Sequence, residues 1–350
     1  MSYALKALPM VVPTERIAVV VNGNAKSVTE DVISTLDQIL KGGDLFVSRE
    51  IEEATDIAQT IIERGYGTVL TGGGDGTFTV MVTEVVRAAK LAGRAPPRFG
   101  LLKLGTGNAL AWVVGASPLS DKLSSADIER LHREASSRKI HLVEVDGYLT
   151  PFAGLGADAQ ILADYNRTKN SLEGTPFASF GRGLTGYGLA ALSRSLPAML
   201  FKKMPRIRVI NQGEDAWPVD DEGVHRQQAI KKGDVIYDGP ARMTAMSTIP
   251  YYGFGMKLFP FAGAVEGRLN LRVSRLGTPQ ALTAARGIWN GTYYDARYFS
   301  DFLVQAIRIE CEEPTEFQIG GDSRGLRSWV EARVTDEPLD LVDFYVQDAE

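Results

Sequence analysis

The rhythm of apolar residues along the chain changes near residue 140. Before that point, short unbroken aliphatic runs alternate with longer segments whose apolar positions recur at helical spacing. Arg16–Val21, Asp44–Ser48, Thr68–Thr71 and Arg98–Leu104 read as buried strands. Ser27 and Glu30 have capping-box spacing, which predicts a helix from there to Gly42-Gly43. Two more are predicted over Ile51–Arg64, closed by Gly65, and from about Thr77 to Leu91; a short one, Ala109–Val114, follows the fourth strand. Strands apolar on both faces, alternating with helices, imply a parallel sheet covered on both sides.

Beyond residue 140 the pattern becomes one of short strand-like runs parted by Gly, Pro and Asp/Asn turns. These are His141–Val145, Arg206–Ile210, Asp234–Tyr237, Met243–Ile249, Leu269–Val273, Ala306–Cys311, Glu316–Ile319 and Trp329–Val334. Such spacing predicts an antiparallel, sandwich- or barrel-like domain, interrupted by one helix over about Phe180–Met199. The fold class is therefore α/β plus all-β, and 350 residues are long enough for two cores. The expected division is an α/β domain, residues 1–140, rejoined by 339–350, and a β-rich domain, residues 141–338.

Chemistry enters at Thr68-Val-Leu-Thr-Gly-Gly-Gly-Asp-Gly-Thr77, where a strand runs through Gly72, Gly73, Gly74, Asp75, Gly76 and Thr77 into a helix. Glycines let the backbone turn sharply and approach a ligand closely. A helix N-terminus at that point offers free N–H groups and the positive end of a dipole to an anion. Asp75 would repel a phosphate unless a cation joins them, which points to Mg²⁺ bridging Asp75 and a nucleotide phosphate; the alternative is that Asp75 only caps its helix. A second glycine loop, Gly105-Thr106-Gly107-Asn108, follows the next strand. In a parallel sheet both loops lie at the carboxyl ends of strands, on the edge that Asn22 and Lys26 also reach after the first strand. One such loop is common in α/β folds; two, one carrying a carboxylate, point to a nucleotide phosphate site.

Composition narrows the classes. With 38 basic and 43 acidic residues the net charge is −5, which argues against general nucleic-acid binding. The single Cys311 rules out an intramolecular disulfide and fits a reducing compartment. No apolar run reaches the roughly 20 residues that cross a bilayer, and Met1–Val12 lacks the form of a secretory signal, so the expected location is cytoplasmic. His132, His141 and His225 are scattered without zinc spacing, and no nucleophile elbow is present. Trp217 and Trp289 read as packing residues. Arg194–Arg208 mixes apolar residues with five basic ones; it is either a peripheral docking element for an anionic membrane surface or a solvated helix end.

Gly72-Gly-Gly-Asp75-Gly-Thr77 followed by Gly105-Thr-Gly-Asn108-Ala-Leu-Ala resembles the diacylglycerol kinase catalytic-domain family, which includes sphingosine, ceramide and bacterial lipid kinases. The resemblance continues in order through Gly154-Leu-Gly-Ala-Asp158-Ala and Gly183-Leu-Thr-Gly-Tyr187-Gly-Leu. It extends to Tyr251-Tyr-Gly-Phe-Gly255-Met with Pro260-Phe-Ala262 and Glu266-Gly-Arg-Leu269. It implies a nucleotide-binding α/β domain and a β-rich lipid domain with the active site between them, using ATP and Mg²⁺ on a membrane-lipid hydroxyl. The run Asn108-Ala-Leu-Ala leans towards sphingosine kinases.

Four departures matter. Ala109 follows Asn108 where the family commonly has Asp, Val80 replaces a usual Glu, and His141 stands where an Asp is usual. The late Asp-Gly-Glu, whose Asp is the presumed base, aligns with Gly320-Gly321-Asp322. Either Asp322 does that work from a new backbone position, or it is a surface turn residue and the base lies elsewhere. The two other readings are a kinase of a soluble substrate such as NAD, and a nucleotide- or lipid-binding protein without catalysis.

Overall fold

The structure, a computed structural model of the chain, describes residues 16–25, 28–40, 44–104, 108–116, 136–172 and 204–344. Strands β1 (Ile17–Asn22), β2 (Leu45–Ser48), β3 (Thr68–Gly73) and β4 (Arg98–Lys103) alternate with helices α1 (Glu30–Ile39), α2 (Glu53–Arg64), α3 (Asp75–Leu91) and the single turn α4 (Ala111–Val114). There follow β5 (Ser137–Ile140), β6 (Val143–Val145), β7 (Tyr148–Thr150), β8 (Phe152–Gly156) and α5 (Ala157–Leu172). Next come β9 (Arg206–Asn211), β10 (Trp217–Asp220), β11 (Gly223–Val224), β12 (Val235–Pro240), β13 (Met243–Ser247), β14 (Leu269–Ser274) and α6 (Thr278–Asn290). The last strands are β15 (Phe299–Val304), β16 (Ala306–Ile319), β17 (Asp322–Val334) and β18 (Leu339–Val342).

The first sheet has the order β2-β1-β3-β4-β18-β5. Its neighbours are parallel as far as β18, and β5 closes the edge antiparallel to β18. β1 and β3 are buried on both faces, as their unbroken apolar or small-residue runs require. From β1 the chain goes first to one side, to β2, and then to the other, to β3. The carboxyl ends of β1 and β3 therefore flank a switch point, where open α/β sheets leave a crevice. The second sheet is a curled, antiparallel array of twelve strands. The two sheets share a core: Phe152, Ala245, Ile249, Leu258, Phe259 and Ala262 pack with the first sheet's interior. Helix α3 also joins them through polar bonds, Thr83 Oγ1 accepting from Leu149 N at 2.9 Å and the hydroxyls of Thr79 and Thr150 meeting at 3.1 Å.

The structure amends the sequence reading in several places. Thr29 caps α1 by accepting from Val32 N, whereas Ser27 lies outside the described residues. Helix α3 starts at Asp75, two residues earlier than its apolar spacing indicates, because the polar first turn carries no periodic signal. Ala306–Cys311 and Glu316–Ile319 are one strand, β16, made continuous across shifts of register against β17. The β-rich half holds helices α5 and α6, where one helix over 180–199 was expected; that segment lies outside the described residues. Trp289 is 47% exposed and is not a core packing residue.

Candidate active site at the glycine loop

Three of the four glycines of the first loop, Gly72, Gly73 and Gly76, have no room for a side chain. A methyl on Gly72 would fall 2.8 Å from both Leu104 and Val21, and one on Gly73 would strike Thr77. Gly74 faces open space, its nearest neighbour being Asn108 Oδ1 at 4.0 Å. It is the N-cap of α3, in extended backbone, so the loop's N–H groups start a helix of 17 residues at the crevice. Asn22, at the end of β1, donates from Nδ2 to Thr77 Oγ1 at 3.2 Å, which ties the first and third strand ends together.

Asp75 does not cap its own helix. Its buried carboxylate reaches the second loop instead, accepting from Ala109 N at 2.8 and 2.9 Å. Burial pushes its carboxyl up from 3.8 to about 6; the backbone N–H groups of Ala109 and Leu110 oppose the rise, and the nearby charge of Asp322 adds to it. Beside it Asn108 is fully buried at a φ of 25°, and neither atom of its side-chain amide has a partner among the described residues. Orphaned buried amides are costly and call for a ligand. Here the open side is the one facing Gly74.

Asp322 comes to this place from the other sheet. Gly320 and Gly321, at φ of 57° and 84°, form the two-residue turn of the β16–β17 hairpin, whose closing pair is Ile319 and Asp322. Gly320 is pressed against Thr79 of α3, where a side chain would collide, and its N–H donates to Phe152 O at 3.0 Å. The turn therefore sits on the helix that carries Asp75. A methyl on Gly76 would lie 2.5 Å from Asp322 Oδ2, so this carboxylate rests directly on the glycine loop. Asp322 is an exposed residue, yet the protein packed beside its carboxyl raises it by desolvation, with the Arg324 guanidinium pulling the other way.

A buried network holds the hairpin from behind. Gln318 Oε1 accepts from Gly321 N at 2.8 Å, while its Nε2 is 3.3 Å from both Asp158 Oδ2 and Tyr252 OH. Tyr252 OH donates to the same Asp158 oxygen at 3.1 Å, and Gly154 has no side chain where Asp158 Oδ2 lies. Burial raises the Asp158 carboxyl, and the bonds from Ala159 N–H, Gln318 and Tyr252 oppose it.

Among the site residues expected from sequence, the structure brings together Asn22, Gly72, Gly73, Gly74, Asp75, Gly76, Thr77, Asn108 and Asp322. Lys26, Gly105, Thr106 and Gly107 lie outside the described residues. Gln318, Tyr252, Asp158 and Thr79 were given no role by sequence reasoning. The signal for Gln318 is an amide in a strand two residues before a Gly-Gly turn; for Thr79, a hydroxyl on the buried stripe of α3. His141 and His225 have structural partners, Thr335 O at 2.8 Å and Asp220 at 2.9 Å.

Residues 16–145 match the family model of the diacylglycerol kinase catalytic domain. No curated protein matches the chain. A solved diacylglycerol kinase of Bacillus anthracis str. Sterne is 14% identical with a TM-score of 0.59, covering 94% of this chain and 97% of that one. Two further structures of diacylglycerol kinase type from the same strain are 16% and 15% identical. They have TM-scores of 0.58 and 0.60, and cover 94% of this chain and 97% and 95% of theirs. At these identities the likeness is one of fold. Residues 16–145 thus match the catalytic-domain model of the diacylglycerol kinase family that the glycine motifs resemble, within a fold shared with these solved structures over nearly the whole length of the chain.

Proposed function

We propose that the protein is an ATP- and Mg²⁺-dependent lipid kinase that transfers the γ-phosphoryl group of ATP to a hydroxyl of a membrane lipid, of sphingoid, ceramide or diacylglycerol type. The observation that carries this reading is the meeting of Asp75, at the start of α3, and Asp322, from the second sheet, on one glycine loop at a helix N-terminus. Phosphoryl transfer needs mainly positioning and charge neutralisation, with one base for the acceptor hydroxyl. In this reading the N–H groups of Gly72–Thr77 and of the second loop, with Asn22, Lys26 and the orphaned Asn108 amide, hold the phosphates.

The residues present fit a divalent cation. Two carboxylates face one phosphate cradle, and burial raises one of them, Asp75, to about 6, a cost of charge that a cation would relieve. Among the described residues no three His, Cys, Asp or Glu side chains are grouped to hold a metal, so in this reading phosphate oxygens and water would complete the ion's shell. When bound, the ion would supply charge neutralisation between Asp75 and the nucleotide. Asp322 is the base: it accepts the proton of the lipid hydroxyl while that oxygen bonds to the γ-phosphorus and the bond to the β-phosphate oxygen breaks, releasing ADP. Residues 1–140 with 339–350 then serve the nucleotide, and 141–338 serve the acceptor.

The test is γ-labelled ATP with a mixed lipid extract and, separately, NAD and sugar phosphates, comparing wild type with Asp75→Ala and Asp322→Asn. Loss of lipid labelling by about 10²–10⁴-fold in Asp322→Asn and complete loss in Asp75→Ala are expected. Full activity in Asp322→Asn would remove the base assignment. Labelling of NAD alone would replace the acceptor, and ATP binding without transfer to any acceptor would leave a non-catalytic protein.

A further inference from the structure

We infer that α6 and the aromatic–lysine cluster at the end of β4 form one docking face for an anionic lipid bilayer. The inference rests on the lipid-kinase reading for its purpose and on the following contacts for its place. Helix α6 presents Leu282, 67% exposed, and Trp289, 47% exposed, seven residues apart and hence on one side of the helix. Arg286 is exposed on the same helix. From the helix end the surface runs on through Lys257, whose N–H donates to Trp289 O at 2.8 Å. The Lys257 ammonium lies 5.7 Å from the Tyr251 ring, which stacks on Trp112 at 6.2 Å. Trp112 is 42% exposed and carries Lys103 Nζ 4.5 Å above it. Lys103 is the last residue of β4 and pairs in register with Gly73. The face therefore ends at the glycine loop, where a lipid acceptor has to arrive.

Charge decides what covers it. Lys103, Lys257 and Arg286 have no carboxylate partner among the described residues. Segments 101–116, 251–265 and 276–294 contain no Asp or Glu, in a chain with 43 acids among 350 residues. Exposed Trp and Leu flanked by unneutralised cations have the composition of an interfacial helix on an acidic leaflet. A second copy is a poor occupant, since an isologous contact would set these uncancelled cations against themselves.

The experiment is cosedimentation of the full chain, without nucleotide, with phosphatidylcholine vesicles containing or lacking phosphatidylglycerol. Binding is expected to favour the anionic vesicles and to weaken with added salt. Leu282→Ser with Trp289→Ser should lower partitioning to both vesicle types by at least about tenfold. Lys257→Gln with Arg286→Gln should abolish the preference for phosphatidylglycerol. Leu91→Ser, at the far end of α3, should change nothing. Equal binding of wild type to both vesicles, no binding at all, or unaltered binding by the α6 variants overturns the inference. So does a dimer in sedimentation velocity that the α6 variants convert to monomer. Transfer of phosphate to detergent-dispersed lipid by the Leu282→Ser/Trp289→Ser protein tests the kinase reading separately: its retention with vesicle binding lost is the expected result, and a dead wild type overturns the kinase reading while vesicle binding stands.

Discussion

At Asp75 the folded chain holds a proton more firmly than the unfolded chain does, since burial moves the carboxyl from 3.8 to about 6. Ionising this group therefore destabilises the fold: the effect is absent below the lower value, grows as pH rises between the two, and is constant above. Asp75→Asn is expected to abolish phosphoryl transfer yet to raise stability at neutral pH by about 1–2 kcal/mol, read as a higher Tm with a flatter pH dependence. The shift alone would imply about 3 kcal/mol, but the amide can accept from Ala109 N–H through only one oxygen. A lower Tm would show that the backbone bonds outweigh the burial of charge. Asp322 makes a complementary case. Arg324 restrains the rise of its carboxyl, so Arg324→Gln should let it rise further and move the ascending limb of the kcat/KM profile to higher pH. An unmoved limb would mean that another group is the base.

Among the elements, the β16–β17 hairpin is the one whose placement makes the site. Gln318→Leu leaves Gly321 N–H without its acceptor and removes a donor from Asp158, at a cost of about 1–3 kcal/mol. It should lower kcat more than it raises the KM for ATP, because the hairpin and not the nucleotide cradle is disturbed. Gly320→Ala combines a φ of 57° with a collision against Thr79 and should do both more severely; chemical denaturation beside steady-state kinetics reads the two effects. The alternation of strand and helix, the two glycine loops and the strand-rich second half were legible in the sequence, because period and glycine content are local signals. What was not legible is long-range. Asp75 and Asp322 were candidates in the sequence, but the seating of the Gly320-Gly321 turn on α3 and the reach of the Asp75 carboxylate to Ala109 N appear only in the fold. Helix α6 hid because its exposed Leu282 and Trp289 break the usual rule that apolar positions mark the buried side.

Across the whole molecule, the first sheet is built from both ends of the chain. β18 lies between β4 and β5, with Leu341 fully buried and Val342 against Gly100. The family-matched segment 16–145 lacks that strand. As a separate fragment it should expose the edge of β4 and aggregate, measured by size exclusion and circular dichroism. In the full chain Leu341→Asp should cost about 3–5 kcal/mol, since it buries a charge with no partner; a well-folded monomeric fragment would show that β18 is dispensable. Among the described residues no helix is long and apolar enough to cross a membrane.

The place of β18 also sets a clock during synthesis. The ribosome delivers β4 long before β18, and at ordinary elongation rates the interval between Lys103 and Leu339 amounts to roughly 10–50 s. For that time the nascent sheet ends on an open apolar strand in a crowded solution. Expression of this protein should therefore depend on trigger-factor-type holding more than its final stability would suggest, and slowing translation downstream of β4 should lower the soluble yield.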